Sequence, residues 1–399
     1  MMNNFDLTVS QLLDIANDLK EKIGAGLKND GTEIKALPTF IHPKKHGISG
    51  DAVAFDLGGT NFRAAAVSIG QSTTIKEIAE KDITEMRADG FSQNDLYHSQ
   101  WETIHKLNIS KGLPVGYCFS YPAKSLINGD AELIEWSKGV HIADMEESAV
   151  GKPLMDYLNQ KADFNFKKIT VVNDTITSLF AGLMNPGFDA YVGLIVGTGT
   201  NMATFYPSES IPKLKELKNW TGETPVNLET GNFFPPHLTA VDDKVDRDSD
   251  IPGAQRFEKA VSGMYLGRVF RAAVPEGDFK EDFDGASLTY MIRHPGEFKK
   301  EYVELAYQVY ERSAKLIAAS IAGLIKSLHE VNPPIQRIQI LAEGSLFWST
   351  LNDGQRCYSE IVTACLDELI REYGIGKKEV VISKVKNANL IGAAIAVLS

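Results

Sequence analysis

Residues 51–69 constrain the chain more than any other stretch: Asp51-Ala52-Val53-Ala54-Phe55-Asp56-Leu57-Gly58-Gly59-Thr60-Asn61-Phe62-Arg63 and then Ala64-Ala65-Ala66-Val67-Ser68-Ile69. An apolar run ends on a carboxylate, turns through two glycines and returns as a second apolar run, which predicts a β-hairpin. Gly58 and Gly59 permit positive φ and leave no Cβ between backbone N–H groups and a bound anion, while Thr60, Asn61 and Arg63 add donors at the same lip. Asp56 would repel a bare phosphate, so the pattern points to Mg²⁺ between carboxylate and phosphate. A plain Gly-Gly hairpin with a solvated Asp uses the same residues, and the stretch alone does not choose between the two.

The design recurs at residues 190–206, where an apolar run reaches Gly197-Thr198-Gly199-Thr200-Asn201 and a second apolar run leaves it. Met202 stands where the dinucleotide motif Gly-x-Gly-x-x-Gly needs its last glycine, and a strand follows instead of a helix, so a Rossmann site is excluded. A Gly-x-x-x-x-Gly-Lys-Ser/Thr loop is absent from the sequence as well. Two such hairpins, each preceding further α/β structure, predict a duplicated fold whose halves face one another across a nucleotide cleft.

With 399 residues, 43% of them hydrophobic, the chain suits two domains with a site between them. A formal charge of −11 argues against nucleic acid or an anionic membrane surface as the main partner. The N-terminus carries no basic and apolar leader pattern and the apolar runs are too short to span a bilayer, giving the expectation of a soluble cytoplasmic protein. Cys118, Cys357 and Cys365 are scattered and odd in number, so neither a disulfide framework nor a zinc site is expected.

Periodicity places an amphipathic helix over residues 8–27, stopped by Gly24 and Gly26, and an extended Pro-held linker at 37–43. Strands follow at 74–83 and 113–119, where Pro122 ends the second, and at 169–172, with a helix at 92–107 and another at 176–184. A single helix is predicted over 257–273, then a long one over 302–328, a break at Pro333-Pro334, and β-α-β-α at 337–342, 358–373, 380–384 and 389–398. The acidic residues 242–250 fail as a calcium loop, because Ile251 stands at the glycine position, and read as a solvated loop.

With these motifs in place, the sequence resembles the hexokinase family of ATP-dependent sugar kinases over nearly its whole length. Leu37-Pro38-Thr39, the run Phe55 through Arg63, Phe119-Ser120-Tyr121-Pro122, Trp136-Ser137-Lys138-Gly139, Val172-Asn173-Asp174-Thr175 and Gly197 through Asn201 match family motifs in order. Asn227-Leu228-Glu229-Thr230-Gly231-Asn232-Phe233 and the run Phe257 through Gly267 extend the match. The resemblance implies an α/β, two-domain actin-like (ribonuclease H-like) fold with duplicated mixed-sheet halves around a central cleft. It divides the chain into 1–39 on the large domain, 40–172 with the C-terminal helix 386–399 as the small domain, and 173–385 as the large domain.

It also implies transfer of the γ-phosphate of ATP, with Mg²⁺, to the 6-hydroxyl of glucose or a related hexose. Such a hydroxyl is a weak nucleophile and needs a base, and the family pattern gives that role to Asp174 beside Lys138. Ser120, Ser137, Lys138, Asn173, Asp174, Asn201, Glu229 and Glu258 then hold the sugar. Asp56 holds Mg²⁺ through water, and Gly58, Gly59, Thr60, Asn61, Arg63, Thr198, Gly199, Gly344 and Ser345 hold the nucleotide. Capping of the following helix is the structural alternative for Asn173 or Asp174. A sugar-binding regulator without turnover, or a kinase for mannose or an amino sugar, is the competing function, and both monomer and homodimer are open. The departures from the family fall late: Glu343 replaces the Asp of Asp-Gly-Ser/Thr, the Lys-x-His-Pro that often follows is missing, and Asn387-Ala388-Asn389-Leu390-Ile391-Gly392-Ala393-Ala394 replaces the Asp-Gly-Ser-Gly segment.

Overall fold

The computed structural model describes residues 5–137, 139–161, 164–217, 219–332, 335–352 and 354–399. The first helix, α1 (Val9–Lys28), is capped by Thr8, whose side chain accepts from the Gln11 N–H while Gln11 answers the Thr8 N–H. Gly24 and Gly26 lie inside it, contrary to expectation. At Gly26 the missing Cβ is used for close packing, since a methyl there would stand 2.1 Å from the Ile34 carbonyl oxygen.

Strands β1 (Leu37–Pro38), β2 (Gly50–Leu57), β3 (Asn61–Ile69) and β4 (Thr74–Asp82) lead to α2 (Gln93–Ile104). Then come β5 (Val115–Phe119), the small hairpin β6 (Ala123–Ser125) and β7 (Ala131–Leu133), α3 (Gly151–Lys161), β8 (Ile169–Val172) and α4 (Asp174–Gly182). The second hairpin is β9 (Ala190–Val196) and β10 (Thr200–Pro207), followed by β11 (Glu223–Asn227). Helices α5 (Ala240–Arg247), α6 (Arg256–Val261), α7 (Gly263–Ala273), α8 (Gly285–Arg293) and α9 (Lys300–Val331) precede β12 (Arg337–Glu343), α10 (Tyr358–Glu372), β13 (Glu379–Ser383) and α11 (Ala388–Leu398).

Among the described residues the strands form a five-stranded sheet ordered β4-β3-β2-β5-β8 and a six-stranded sheet ordered β1-β11-β10-β9-β12-β13. Apart from the edge strand β1, the two orders are the same once β2, β3, β4, β5 and β8 are matched with β9, β10, β11, β12 and β13. The pairings match too, with the first three strands antiparallel and the last two joined in parallel. The expected duplication is therefore present strand for strand.

The duplication makes α4 and α11 counterparts, and they exchange sides. Helix α4 leaves the five-stranded sheet at β8 yet packs on β9 and β12, and α11 leaves the six-stranded sheet at β13 yet packs on β2 and β5. The two meet at Gly392, where a Cβ would stand 1.8 Å from the Thr177 carbonyl oxygen; on the other side of α11, a Cβ on Gly116 would stand 1.9 Å from the Ala393 carbonyl oxygen. Their apolar residues form one cluster shared by both sheets, including Ala54, Ile176, Leu179, Leu390 and Ala394.

Two expectations are corrected here. The helix expected over 257–273 breaks at Ser262, whose ψ of 155° is extended. The Gly263 N–H bonds the Gly197 carbonyl at 2.7 Å, so the break seats the second hairpin. The acidic tract is not a solvated loop but mostly α5, with Asp242 and Asp246 buried. Burial alone would raise the Asp242 carboxyl, but two 2.7 Å bonds from Arg312 together with Thr239 hold it below the ordinary range. Lys259 pairs with Asp246 at 2.6 Å and fastens the tract to α6. Acidic residues four apart on one helical face found buried partners, which a composition reading does not register. The break expected at Pro333-Pro334 lies outside the described residues.

Candidate active site

The first hairpin turns tightly, its Gly58 N–H reaching the Asn61 carbonyl at 3.0 Å. Neither Gly58 nor Gly59 takes a positive φ, so what these glycines supply is an uncovered backbone at the lip. Asp56 at the end of β2 is buried, and its Oδ2 accepts from Arg63 Nε at 3.1 Å and from Arg63 Nη2. Arg63 also donates through Nη1 to Asn387 Oδ1 at 3.3 Å, and Asn389 Nδ2 donates to Asp56 Oδ1 at 3.3 Å. Among the described residues, two of the five guanidinium protons remain for another acceptor. The departing C-terminal segment thus closes on the Asp56–Arg63 pair.

Asp174 is the first residue of α4 and Asn173 its N-cap, the Asn173 side chain accepting the Thr175 N–H at 2.9 Å. The structural alternative is therefore present without displacing the chemical one: Asn173 caps, while Asp174 Oδ1 takes a 2.8 Å bond from the same N–H and its other oxygen stays clear of it. Cys118 sits between the halves, its buried thiol pushed well up by burial and by Asp56 and Asp174. Its sulfur lies 3.6 Å from Thr177 Oγ1 and 3.9 Å from Ser120 Oγ. Ser120 follows β5 directly, and its N–H bonds the Leu57 carbonyl at 3.1 Å.

Glu229 adopts φ 59°, a left-handed conformation uncommon for a side-chain-bearing residue and often found at functional sites. Burial raises its carboxyl, opposed by a 2.7 Å bond from Asn227 Nδ2 and reinforced by the negative charge of Asp174. Asn227 in turn accepts from Asn201 Nδ2 at 2.8 Å, and Asn201 Oδ1 accepts the N–H groups of Met202 and Thr230. Glu258 on α6 takes the Thr200 N–H at 3.0 Å, and a Cβ on Gly199 would stand 2.6 Å from its Oε2. Gly344 has φ 111° and lies so close to the second hairpin that a Cβ would stand 2.2 Å from the Val196 carbonyl oxygen, which also places Ser345 beside Gly197.

Ser137 is joined to none of these groups by a hydrogen bond among the described residues. Its neighbour Trp136 packs against Tyr121 with ring centroids 4.8 Å apart, and the Tyr121 hydroxyl donates to the Gly58 carbonyl at 3.0 Å. Lys138 lies outside the described residues. Asn227 and Thr177 were missed by sequence reading. Asn227 stands two residues before Glu229 at a strand end, and Thr177 one helical turn after Asp174, so periodicity could have found both.

Glu343, the late departure, ends β12 with Oε1 buried and lacking a hydrogen-bond partner among the described residues. Burial raises its carboxyl from 4.5 to about 7, against the opposing pull of Lys384, Arg63 and the Val385 N–H. Both states are protonated below pH 4.5, so this group costs stability as pH climbs to about 7 and no further beyond it. Glu343→Gln should remove that slope. Urea unfolding should show the variant gaining about 1–2 kcal/mol over the parent between pH 5 and pH 8, a figure discounted for partial exposure. Parallel pH profiles for the two proteins would refute it.

The model of the hexokinase family matches residues 1–184 with its first part, and residues 191–306 and 299–399 with its second. The chain belongs to the hexokinase family. Hexokinase-1 of Arabidopsis thaliana is 29% identical over 447 residues, covering 97% of this chain and 87% of its own. Hexokinase-3 of Homo sapiens is 32% identical over 281 residues, 67% of this chain and 30% of that one. Among solved structures, the hexokinase from Schistosoma mansoni complexed with glucose superposes with a TM-score of 0.79 at 25% identity, over 99% of this chain and 96% of that one. Family membership makes the chain an ATP-dependent sugar phosphotransferase and its two sheets the halves of the actin-like fold. Among the described residues no helix is long and apolar enough to cross a membrane.

Proposed function

We propose that this hexokinase transfers the γ-phosphate of ATP to the 6-hydroxyl of glucose or a close hexose, with Asp174 accepting the hydroxyl proton. The observation that carries the reading is the gathering of polar groups about the second hairpin: Glu258 takes the Thr200 N–H, Asn201 leads through Asn227 to Glu229, and the charge of Asp174 reaches the Glu229 carboxyl. A sugar ring offers paired donors and acceptors, and buried carboxylates and amides discriminate among sugars because an unmatched partner is left unpaired. Ser120, Ser137, Lys138 and Asn173 complete the sugar side by family resemblance. Thr60, Asn61, Arg63, Thr198, Gly199, Gly344 and Ser345 take the nucleotide.

Mg²⁺ fits this chain through Asp56. Groups of three or more metal-ligating side chains are absent among the described residues, and Mg²⁺ bound with a nucleotide needs only one or two carboxylates, its remaining positions going to phosphate and water. When bound, the ion supplies charge neutralisation at the transferring phosphate. Asp56→Ala should therefore lower turnover about tenfold or more and raise half-saturating Mg²⁺, leaving glucose affinity within twofold. Unchanged Mg²⁺ dependence would remove Asp56 from that role. We further assign residues 40–172 with 386–399 to the small domain and 173–385, carrying 1–39, to the large one. The exchange of α4 and α11 supports this division.

The test is a panel of glucose, mannose, fructose and glucosamine with ATP and alternative nucleotides. Highest kcat/KM for glucose with ATP supports the reading. A different leading hexose would move the substrate, and sugar binding without product would favour a silent sensor. A cytoplasmic setting fits these substrates.

A further inference from the structure

We infer that Asn389 is a positioning residue that ties the Mg²⁺-side carboxylate to the helix bearing the base, across the crossing of α4 and α11. This rests on the functional reading above. Asp56 can only accept hydrogen bonds, so the Asn389 amide must present Nδ2 to it, at 3.3 Å. That orientation leaves Asn389 Oδ1 to accept from Thr177 Oγ1, at 2.9 Å. Thr177 Oγ1 also lies 2.6 Å from the Asp174 carbonyl oxygen, one turn back on α4, so its one proton is shared between that carbonyl and Asn389 Oδ1. One amide therefore joins Asp56, on the five-stranded sheet, to the first turn of the helix packed on the six-stranded sheet.

The place is suited to coupling. Asn389 is one turn before Gly392, where α11 touches the Thr177 carbonyl, so it sits at the close crossing of α4 and α11. Closure that displaces the outer lips changes distances least at the crossing, and a bridge there keeps Asp56 oriented while the cleft opens and shuts. Asn387, the N-cap position of α11 at φ 60°, holds the other side of the same pair through Arg63. Together the two asparagines make the departing segment a brace for Asp56.

Asn389→Leu is the discriminating variant, because it keeps about the side-chain volume and removes both hydrogen bonds of the bridge without adding a charge beside Asp56. It should lower kcat 10–100-fold and raise the Mg²⁺ needed for half-maximal binding of a non-hydrolysable ATP analogue by a similar factor. Glucose affinity measured by calorimetry without nucleotide should stay within twofold. Asn389→Ala should behave likewise, and circular dichroism shows whether each variant is folded. A folded variant with wild-type kcat and Mg²⁺ dependence, or one altered only in unfolding midpoint, overturns the inference. If the wild-type protein phosphorylates no sugar, the functional reading fails instead; Mg²⁺-dependent binding of the analogue then still decides whether Asn389 positions Asp56.

Discussion

Asp174→Asn is expected to lose 10²–10⁴-fold in kcat while glucose still binds. General-base catalysis contributes about that factor, and an amide cannot take the proton from the 6-hydroxyl. The substitution leaves an oxygen to accept the Thr175 N–H, so the start of α4 should keep its geometry. Asn173 continues to cap the helix, and removal of the Asp174 charge relieves the repulsion it exerts on Glu229. The check is a split measurement: steady-state kcat by coupled assay, and glucose dissociation constant by calorimetry. A variant with full turnover would place the base elsewhere, and one that lost glucose binding as well would make Asp174 a binding residue first.

The second large effect is on stability. Gly392→Ala should destabilise the protein by about 3 kcal/mol, although alanine is the better helix former by about 1 kcal/mol. The added methyl would meet the Thr177 carbonyl oxygen at 1.8 Å and its carbon at 2.5 Å, both backbone atoms with no rotamer to yield. Helix α11 cannot back away, since its far side presses on Gly116 at Ala393. The strain therefore falls on the crossing itself, and with it on the Asn389 bridge one turn away. Urea unfolding checks the sign. A stability gain would show that the crossing gives way at little cost and that α11 is not wedged.

Much of this was legible in the sequence, and the reasons are local. Both hairpins, the strand ends carrying Ser120 and Asn173-Asp174, and the amphipathic covers follow from periodicity and turn chemistry, which neighbours in sequence decide. The exchange of α4 and α11 was not readable from pattern alone. It depends on the close approaches at Gly116 and Gly392, and a glycine inside a helical pattern does not say what it touches. The same limit hid the buried pairs of Asp242 with Arg312 and Asp246 with Lys259, whose partners are 70 and 13 residues away. Ser262 breaks a helix that periodicity joins, because a carbonyl of the second hairpin competes for the Gly263 N–H. At the candidate site, resemblance supplied the sugar residues, whereas the roles of Asn227, Thr177 and Asn389 come from hydrogen bonds between distant segments.

The most direct measurement follows the phosphate itself. Purified protein, glucose and γ-labelled ATP with Mg²⁺ should yield glucose carrying the label on its 6-position, one per ADP formed, with little label released as free phosphate. Closure of the cleft around the sugar would exclude the water that otherwise competes for the phosphate. Absence of labelled sugar, or label appearing only as inorganic phosphate, would contradict the assignment of Asp174 and the two hairpins to hexose phosphorylation.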